Sequence, residues 1–223
     1  MGQKINPRGF RLGPVFTWSS RWFANKKRYK KLLLMDVKLR EELFLDLRSA
    51  GLARVDIERS INKVKVTVHV ARPGVVIGRG GSGMEELKRF VESFLSRFET
   101  DMEARESQHE AGRLKVELAV EPVKAPSLNA YLVATSICDQ FARRLPHKRV
   151  AHQAVDRVMA AGAKGVRVAL AGRIAGAEIA RREKYQAGTV PLSTIREEID
   201  FAAVPALTKS GYIGVKVWIC RKS

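Results

Sequence analysis

The alternation of apolar and polar positions in the first half of the chain predicts a helix followed by a two-stranded hairpin. Apolar residues recur at mostly helical spacing over residues 37–50, and Gly51 is placed to end that helix. Apolar and polar residues then alternate over residues 52–59 and again over residues 63–71. The short connection between these two segments predicts an antiparallel pair of strands with one buried face.

A glycine-rich turn at residues 75–83 follows the hairpin and leads into an amphipathic helix. Apolar residues recur with a helical period over residues 84–98, opposite a charged face. A polar stretch over residues 99–111 comes next, and residues 114–120 alternate again as a third strand. The order helix, strand, strand, glycine turn, helix, strand predicts one compact α+β unit.

The second half of the chain has the pattern of another α+β unit. Pro122 and Pro126 predict a linker, after which Ser127 is placed to cap a helix that runs to about Leu145. Pro146 separates this helix from a second one. The second helix and four strands are predicted over residues 148–161, 164–171, 180–190, 195–203 and 211–221. We expect the strands to form a second, mostly antiparallel sheet.

The N-terminal segment has neither pattern. Residues 1–25 contain scattered glycine, proline, lysine and arginine, which predict an extended arm that folds on a polyanion. The charge run at residues 26–31 is interpreted as part of the same basic arm. The predicted domains are the arm at residues 1–36, a first domain at 37–121 with an insertion near 96–111, and a second domain at 122–223.

Composition adds a strong positive charge to this picture. The 223 residues contain 41 lysines and arginines against 23 acidic residues, a net charge of +18, which is typical of proteins that bind a phosphate backbone. Cys138 and Cys220 lie in apolar runs, as reduced core cysteines of a cytosolic protein do. No apolar run approaches the roughly 18 residues of a membrane span, so we expect a cytoplasmic protein with no membrane partner.

The glycine turn fits two nucleotide-binding patterns. Gly78, Gly80 and Gly83 have the G-x-G-x-x-G spacing of a dinucleotide-binding loop, while Gly78 and Gly81 have the G-x-x-G spacing of a KH-type RNA clamp. The dinucleotide loop requires a parallel strand that is buried on both faces, but the preceding strand has a polar face and belongs to a hairpin. This difference favours the RNA clamp.

The clamp interpretation makes residues 78–81 the first candidate site. Gly78 and Gly81 lack side chains at the close approaches to RNA, and Arg79 supplies a positive charge beside Gly80. The N-terminus of the following helix adds N–H groups that favour an anion. A tight turn without a ligand is the alternative interpretation.

A second candidate site surrounds Pro146. It consists of Arg143, Arg144, Lys148, Arg149 and His152, which we call the basic patch. At helical spacing, its last three members share one face, where they would contact phosphates without reading sequence. A solvated helix face is the alternative, because Asp156 lies on the same face.

Catalytic and metal-binding patterns are missing from the sequence. The four histidines do not have the spacing of metal ligands, and no serine or cysteine lies in a recognisable nucleophile pattern. We therefore expect no catalytic residue, no metal and no cofactor.

Three longer motifs resemble one protein family. They are Met1-Gly2-Gln3-Lys4-Ile5-Asn6-Pro7 with the following Gly9-Phe10-Arg11-Leu12-Gly13, the turn sequence at residues 72–81, and Gly172-Arg173-Ile174-Ala175-Gly176-Ala177-Glu178-Ile179-Ala180-Arg181. Further matches lie at residues 190–192, 200–201 and 211–218. Together the chain resembles bacterial-type small-subunit ribosomal protein three over nearly its whole length.

This resemblance implies a type II KH domain, with element order αββααβ, followed by a family-specific α+β domain. It implies a structural, non-enzymatic protein of the head of the small ribosomal subunit, placed where messenger RNA enters. The implied partners are small-subunit ribosomal RNA, messenger RNA and ribosomal proteins ten, fourteen and two, with four and five across the entrance. A cytoplasmic ribosome is expected, with an organellar one as the alternative.

The resemblance also implies roles for individual residues. Lys148, Arg149 and His152 match family residues that contact messenger RNA and help to unwind it, although His152 stands where a lysine is expected, so that its charge depends on pH. The arm is expected to bind ribosomal RNA through Lys4, Arg8, Arg11, Arg21, Lys26, Lys27 and Arg28. A free-standing RNA-binding regulator and a nucleotide-cofactor enzyme are the alternative functions.

Overall fold

The structure is a computed structural model that describes residues 3–60, 63–103 and 115–222. It divides into two compact units. The glycine-turn unit consists of Trp18–Lys124, and the C-terminal unit consists of Met1–Thr17 together with Ala125–Ser223. Each unit has its own buried core, and we describe each by itself.

The helices and strands are numbered in chain order. The helices are α1 (Pro7–Phe10), α2 (Lys26–Asp46), α3 (Pro73–Ile77), α4 (Ser82–Glu103), α5 (Ala130–Ala142) and α6 (His147–Ala160). The strands are β1 (Ser20–Arg21), β2 (Leu52–Ser60), β3 (Lys63–Val70), β4 (Lys115–Pro122), β5 (Gly165–Gly172), β6 (Arg181–Gly188), β7 (Ile199–Thr208) and β8 (Gly211–Cys220).

The glycine-turn unit contains a four-stranded sheet in the order β1-β2-β3-β4. Strands β2 and β3 are antiparallel, which confirms the predicted hairpin, although its connection at residues 61–62 lies outside the described residues. Strand β4 runs parallel to β3, as a crossover through α3 and α4 requires. Alternate β3 residues, together with Leu39 of α2 and Val91 of α4, fill the core.

Helix α2 corrects the predicted extent of the arm. The helix begins at Lys26, whereas the sequence analysis began it at Val37 and kept residues 26–36 in the extended arm. Met35 and Asp36 are both buried, and the Asp36 carboxylate accepts hydrogen bonds from Trp22 Nε1 at 2.7 Å and Arg59 Nη2 at 2.6 Å. The segment is therefore fixed by a buried polar cluster that charge counting did not reveal.

The C-terminal unit packs α5 and α6 on an antiparallel sheet in the order β6-β5-β8-β7. Helix α5 is capped by Asn129 and not by Ser127, because Asn129 Oδ1 accepts from the N–H groups of Tyr131 and Leu132, each at 3.1 Å. Asp200 of β7 also accepts from the N–H of Ala130 at 2.9 Å. These bonds set the start of α5 against the end of the sheet.

Residues 3–17 fold onto the C-terminal unit instead of forming an extended arm. Asn6 Oδ1 caps the short helix α1 by accepting from the N–H of Arg8 at 2.9 Å. The side chain of Arg11 is buried and donates hydrogen bonds of 2.8–3.3 Å to the carbonyls of Pro7, Pro191, Leu192, Thr194 and Glu197. These hydrogen bonds hold the segment against residues 191–197 of the C-terminal unit. The prediction of an extended arm is therefore wrong for this segment.

Candidate nucleic-acid interface

The glycine turn adopts a backbone conformation that only glycine tolerates well. Gly78, Gly80 and Gly81 have φ values of 70°, 64° and 86°, which lie in the left-handed region. The turn joins α3 to α4, and its members Gly78, Arg79 and Gly80 are exposed. The backbone at the turn is therefore open to a ligand.

Gly83 has a structural role that the clamp spacing does not include. A β-carbon at this position would lie 2.4 Å from the carbonyl oxygen of Val76, which is closer than real atoms approach. Helices α3 and α4 can therefore meet at the turn only because Gly83 has no side chain. The same glycine completed the G-x-G-x-x-G pattern that the sequence analysis set aside.

The surroundings of the turn combine positive and apolar groups. The side chain of Arg79 is exposed. Glu85, in the first turn of α4, lies 3.5 Å from Arg89, and the positive charge of Arg89 offsets the negative charge of Glu85. Val75 and Ile77 are exposed beside the turn. Neither residue was among the candidates from the sequence, although both belong to the glycine-rich stretch at residues 75–83.

The structure brings the basic patch together at the corner between α5 and α6. Arg143 and Arg144 lie in the turn after α5, while Lys148, Arg149 and His152 lie on the first two turns of α6. All five side chains are exposed. Arg144 has a φ of 61°, a left-handed conformation that costs a non-glycine residue roughly 1 kcal/mol or more.

Two residues of β6, which were not among the candidates from the sequence, contact histidines in and beside the basic patch. The ring of Tyr185 contacts that of His152 edge-on, with centroids 5.1 Å apart. The Tyr185 hydroxyl donates to Glu183 at 2.5 Å, and His147 Nε2 lies 3.2 Å from the same carboxylate. Burial, reinforced by Glu183, raises the pKa of Tyr185 to about 12. The His152 ring is thus held by a neighbour that stays uncharged at ordinary pH.

The predicted arm residues are divided between the two units. Lys4, Arg8 and Arg11 belong to the C-terminal unit, whereas Arg21, Lys26, Lys27 and Arg28 belong to the glycine-turn unit. Lys4 is exposed, and the guanidinium of half-buried Arg8 lies over the ring of Phe16, 5.3 Å from its centroid.

Arg11 is a correction to the predicted set of RNA-binding residues. Its side chain is 0% exposed, and its donors are used by main-chain carbonyls of its own unit. An RNA phosphate therefore has no access to it in this fold.

The remaining arm residues lie near the start of α2. Arg21 is exposed and pairs with Glu58 at 3.0 Å. Lys26 and Arg28 are exposed in the first turn of α2, which contains no acidic residue. Lysine and arginine are unfavourable at a helix N-terminus, so these charges do not serve the helix itself. The Lys27 side chain lies outside what the structure describes.

The chain is similar to known proteins over nearly its whole length. A family model described as "KH domain" matches residues 38–128, and one described as "Ribosomal protein S3, C-terminal domain" matches residues 137–219. Small ribosomal subunit protein uS3 of Desulforudis audaxviator is 45% identical over 221 residues, which cover 99% of this chain and 94% of the relative. The same protein of Bacillus thuringiensis is 43% identical, with 99% and 93% covered.

The chain belongs to the uS3 family. Membership of the uS3 family confirms the resemblance seen in the sequence and the predicted fold class, a KH domain followed by an α+β domain. The KH match spans the glycine turn, which decides against the dinucleotide loop. The uS3 relatives are named as ribosomal proteins, which agrees with the prediction that the chain is not an enzyme.

Four further observations complete the description of this uS3 family member. Within the described ranges, no group of three His, Cys, Asp or Glu side chains could hold a metal ion, and no helix is long and apolar enough to cross a membrane. Cys138 and Cys220 are both buried and are not joined by a disulfide, as predicted for core cysteines. The predicted insertion near 96–111 overlaps α4 as far as Glu103, and its remaining residues lie outside the described ones.

Proposed function

We propose that the chain is a structural constituent of the small ribosomal subunit and binds ribosomal RNA through both of its units. The observation that carries this proposal is the 45% sequence identity to a small-subunit uS3 protein over 99% of the chain. The net charge of +18 supports it, because such a charge supplies the sequence-independent attraction that ribonucleoprotein assembly needs. The exposed cations at Lys4 and at the start of α2 are the proposed ribosomal RNA contacts on the two units.

The glycine turn is assigned the role of a backbone clamp on single-stranded RNA. Its exposed, left-handed glycines let phosphates approach the main chain, and the positive end of the α4 helix dipole lies beside Arg79. The exposed side chains of Val75 and Ile77 would contact sugars or bases there.

The basic patch is assigned to incoming messenger RNA. Lys148, Arg149 and His152 project from one exposed face of α6, and an array of this kind attracts phosphates of any sequence. Holding single strands at such an array disfavours re-pairing, which is how the patch would help to unwind a messenger.

A sedimentation experiment tests the assembly proposal. The tagged chain should co-sediment with small subunits at moderate salt, since uS3 relatives are named as subunit proteins. A free-standing RNA-binding regulator, the alternative function, would stay in the soluble fraction.

Crosslinking within the subunit would then test the expected neighbours, ribosomal proteins ten, fourteen and two, with four and five across the entrance. Fractionation of cells tests the proposed cytoplasmic location.

A double variant tests the messenger proposal. Lys148→Ala with Arg149→Ala should leave assembly intact and slow translation through structured messengers. Arg157→Ala with Lys216→Ala removes the same charge from exposed positions outside the patch and serves as the control. If the double variant lost assembly instead, the patch would be a ribosomal RNA contact.

A further inference from the structure

An open cavity of about 760 Å³ lies within the C-terminal unit, and of the residues assigned a role above only Arg144 of the basic patch lines it. Three chain segments line it: the turn between α5 and α6, the loop after β5 at residues 173–176, and the hairpin between β7 and β8 at residues 207–213. Its volume is in the range of small-molecule sites, roughly 300–1,000 Å³.

The cavity has an apolar interior and a positively charged rim. Phe141 and Ile213 are buried in its wall, while Leu145 and Leu207 remain exposed, Leu207 by 64%. Arg144, Arg173 and Lys209 also line it, and the lining contains no aspartate or glutamate. A ligand that suits both features has a flat apolar part and a negative charge.

The three positive side chains are available to such a ligand. Among the described residues, none of them has an acidic partner. The Nε of Arg173 donates to the carbonyl of Ala177 at 2.9 Å, which orients the guanidinium. His147 differs from them, because it lies 3.2 Å from Glu183.

The backbone is strained at two points of this cavity. In the described part of the chain, Arg144 and Ala175 are the non-glycine residues with positive φ, at 61° and 56°, and both line the cavity. Side chains are disfavoured in this conformation, and such residues concentrate at ligand-binding sites. The strain thus coincides with the unpaired positive charges.

We propose that this cavity binds one unstacked nucleotide of single-stranded RNA. The base would lie against Leu145 and Leu207, and Ser210 in the lining would form a hydrogen bond with the edge of the base. The phosphate would be held by Arg144, Arg173 and Lys209. A peptide segment fits less well, because a lining with three free cations and no acid selects for a phosphate. The proposal rests on the proposed RNA-binding function and names a specific subsite within it.

A matched pair of variants tests the base contact. The probe is a short, fluorescently labelled single-stranded oligouridine bound to the full-length chain. Leu207→Asp should weaken binding by roughly tenfold, as loss of a base contact does. Ile179→Asp makes the same change at another exposed position of the unit, 77% exposed and outside the cavity, and should have a much smaller effect. Equal losses of affinity in the two variants would overturn the proposal.

Arg144→Gly separates a binding role from a folding role. Glycine relieves the left-handed backbone, so the melting temperature should rise, while loss of the guanidinium should weaken oligouridine binding. A rise in melting temperature with unchanged affinity would count against the subsite.

Photo-crosslinking within assembled subunits identifies the source of the nucleotide. RNA carrying 4-thiouridine should crosslink to peptides that span residues 141–147 or 207–213, and the crosslinked strand would be either ribosomal or messenger RNA. Crosslinks of this RNA to other peptides of the chain, with none to residues 141–147 or 207–213, would overturn the proposal. Failure of the wild-type chain to co-sediment with subunits would instead contradict the general function, independently of Leu207.

Discussion

Two buried charged side chains, Arg11 and Asp36, hold the N-terminal residues in place, one in each unit. A buried charge is tolerated when hydrogen bonds replace its water, and both residues satisfy this condition. Arg11 donates to five carbonyls, and Asp36 accepts from Trp22 and Arg59. Removing either partner leaves polar atoms that are desolvated and unpaired.

Arg11→Met should destabilise the C-terminal unit by about 3 kcal/mol, because carbonyls at residues 191–197 lose their donors. The measurement is the melting temperature of the full chain. Lys4→Met, which removes an exposed charge from the same segment, is the control and should change it little. A binding role for Arg11 in place of a structural one would leave the melting temperature unchanged and weaken RNA binding.

The ion pair between Lys164 and Glu197 should make the free energy of unfolding depend on pH in the acidic range. The hydrogen bond from Lys164 holds the pKa of Glu197 below its ordinary value of 4.5. Its stabilising contribution is therefore complete above about pH 4.5 and is lost as pH falls through the lower, folded pKa.

The test compares melting temperatures between pH 7 and pH 3. Glu197→Gln should melt lower than the wild type at pH 7 and lose less on acidification. Glu178→Gln, at an exposed carboxylate of the same unit, should follow the wild-type curve. If the melting temperatures of Glu197→Gln and the wild type fell in parallel with pH, this ion pair would be excluded as the cause of the loss of stability in acid.

At the scale of elements, local patterns predicted most strands well and the ends of helices poorly. Strand β1 was not predicted, and β7 was predicted over residues 195–203 but spans Ile199–Thr208. The alternation in β2, β3 and β8 was sufficient because the apolar residues that alternate with polar ones in these strands are the ones that fill the core. The start of α2 was missed because lysines hid the helical spacing of Leu32, Met35 and Leu39, which was present in the sequence. Asn129 was missed as a cap because a short 3-10 turn precedes it.

Gly83→Ala should disrupt the packing of α3 on α4. The new methyl group would meet the carbonyl of Val76, so the helices must move apart, at a cost of about 2 kcal/mol. Gly74→Ala, within α3, has no atom within 4 Å of the added carbon and is the matched control. Chemical denaturation of both variants measures the difference, and equal stability would show that the helices adjust without cost.

For the whole molecule, charge could be predicted from composition but its distribution could not. The sequence placed the basic arm in one domain, whereas the structure divides its residues between two units. This division depends on contacts such as that between Arg11 and Glu197, which are 186 residues apart and leave no local pattern. The cavity at residues 207–213 was likewise invisible, because its walls come from three distant segments.

The dispersed positive charge predicts a strong dependence of RNA binding on salt. The logarithm of the binding constant should fall linearly with that of salt concentration, with a slope of about −0.7 for each phosphate contacted on a single strand. Lys148→Ala with Arg149→Ala should reduce this slope by roughly 1.4. Arg157→Ala with Lys216→Ala is the charge-matched control. An equal reduction in both variants would show general attraction without a defined patch.

The docking of Arg11 onto residues 191–197 also determines when the newborn chain can finish folding. The segment around Arg11 must wait for partners that are made 180 to 186 residues later. At roughly 5–20 residues per second, this wait is on the order of 10 to 40 seconds. Meanwhile the glycine-turn unit, complete at Lys124, can already fold. Throughout that interval the basic start of the chain remains open to chaperones, and a product truncated before Pro191 never buries it.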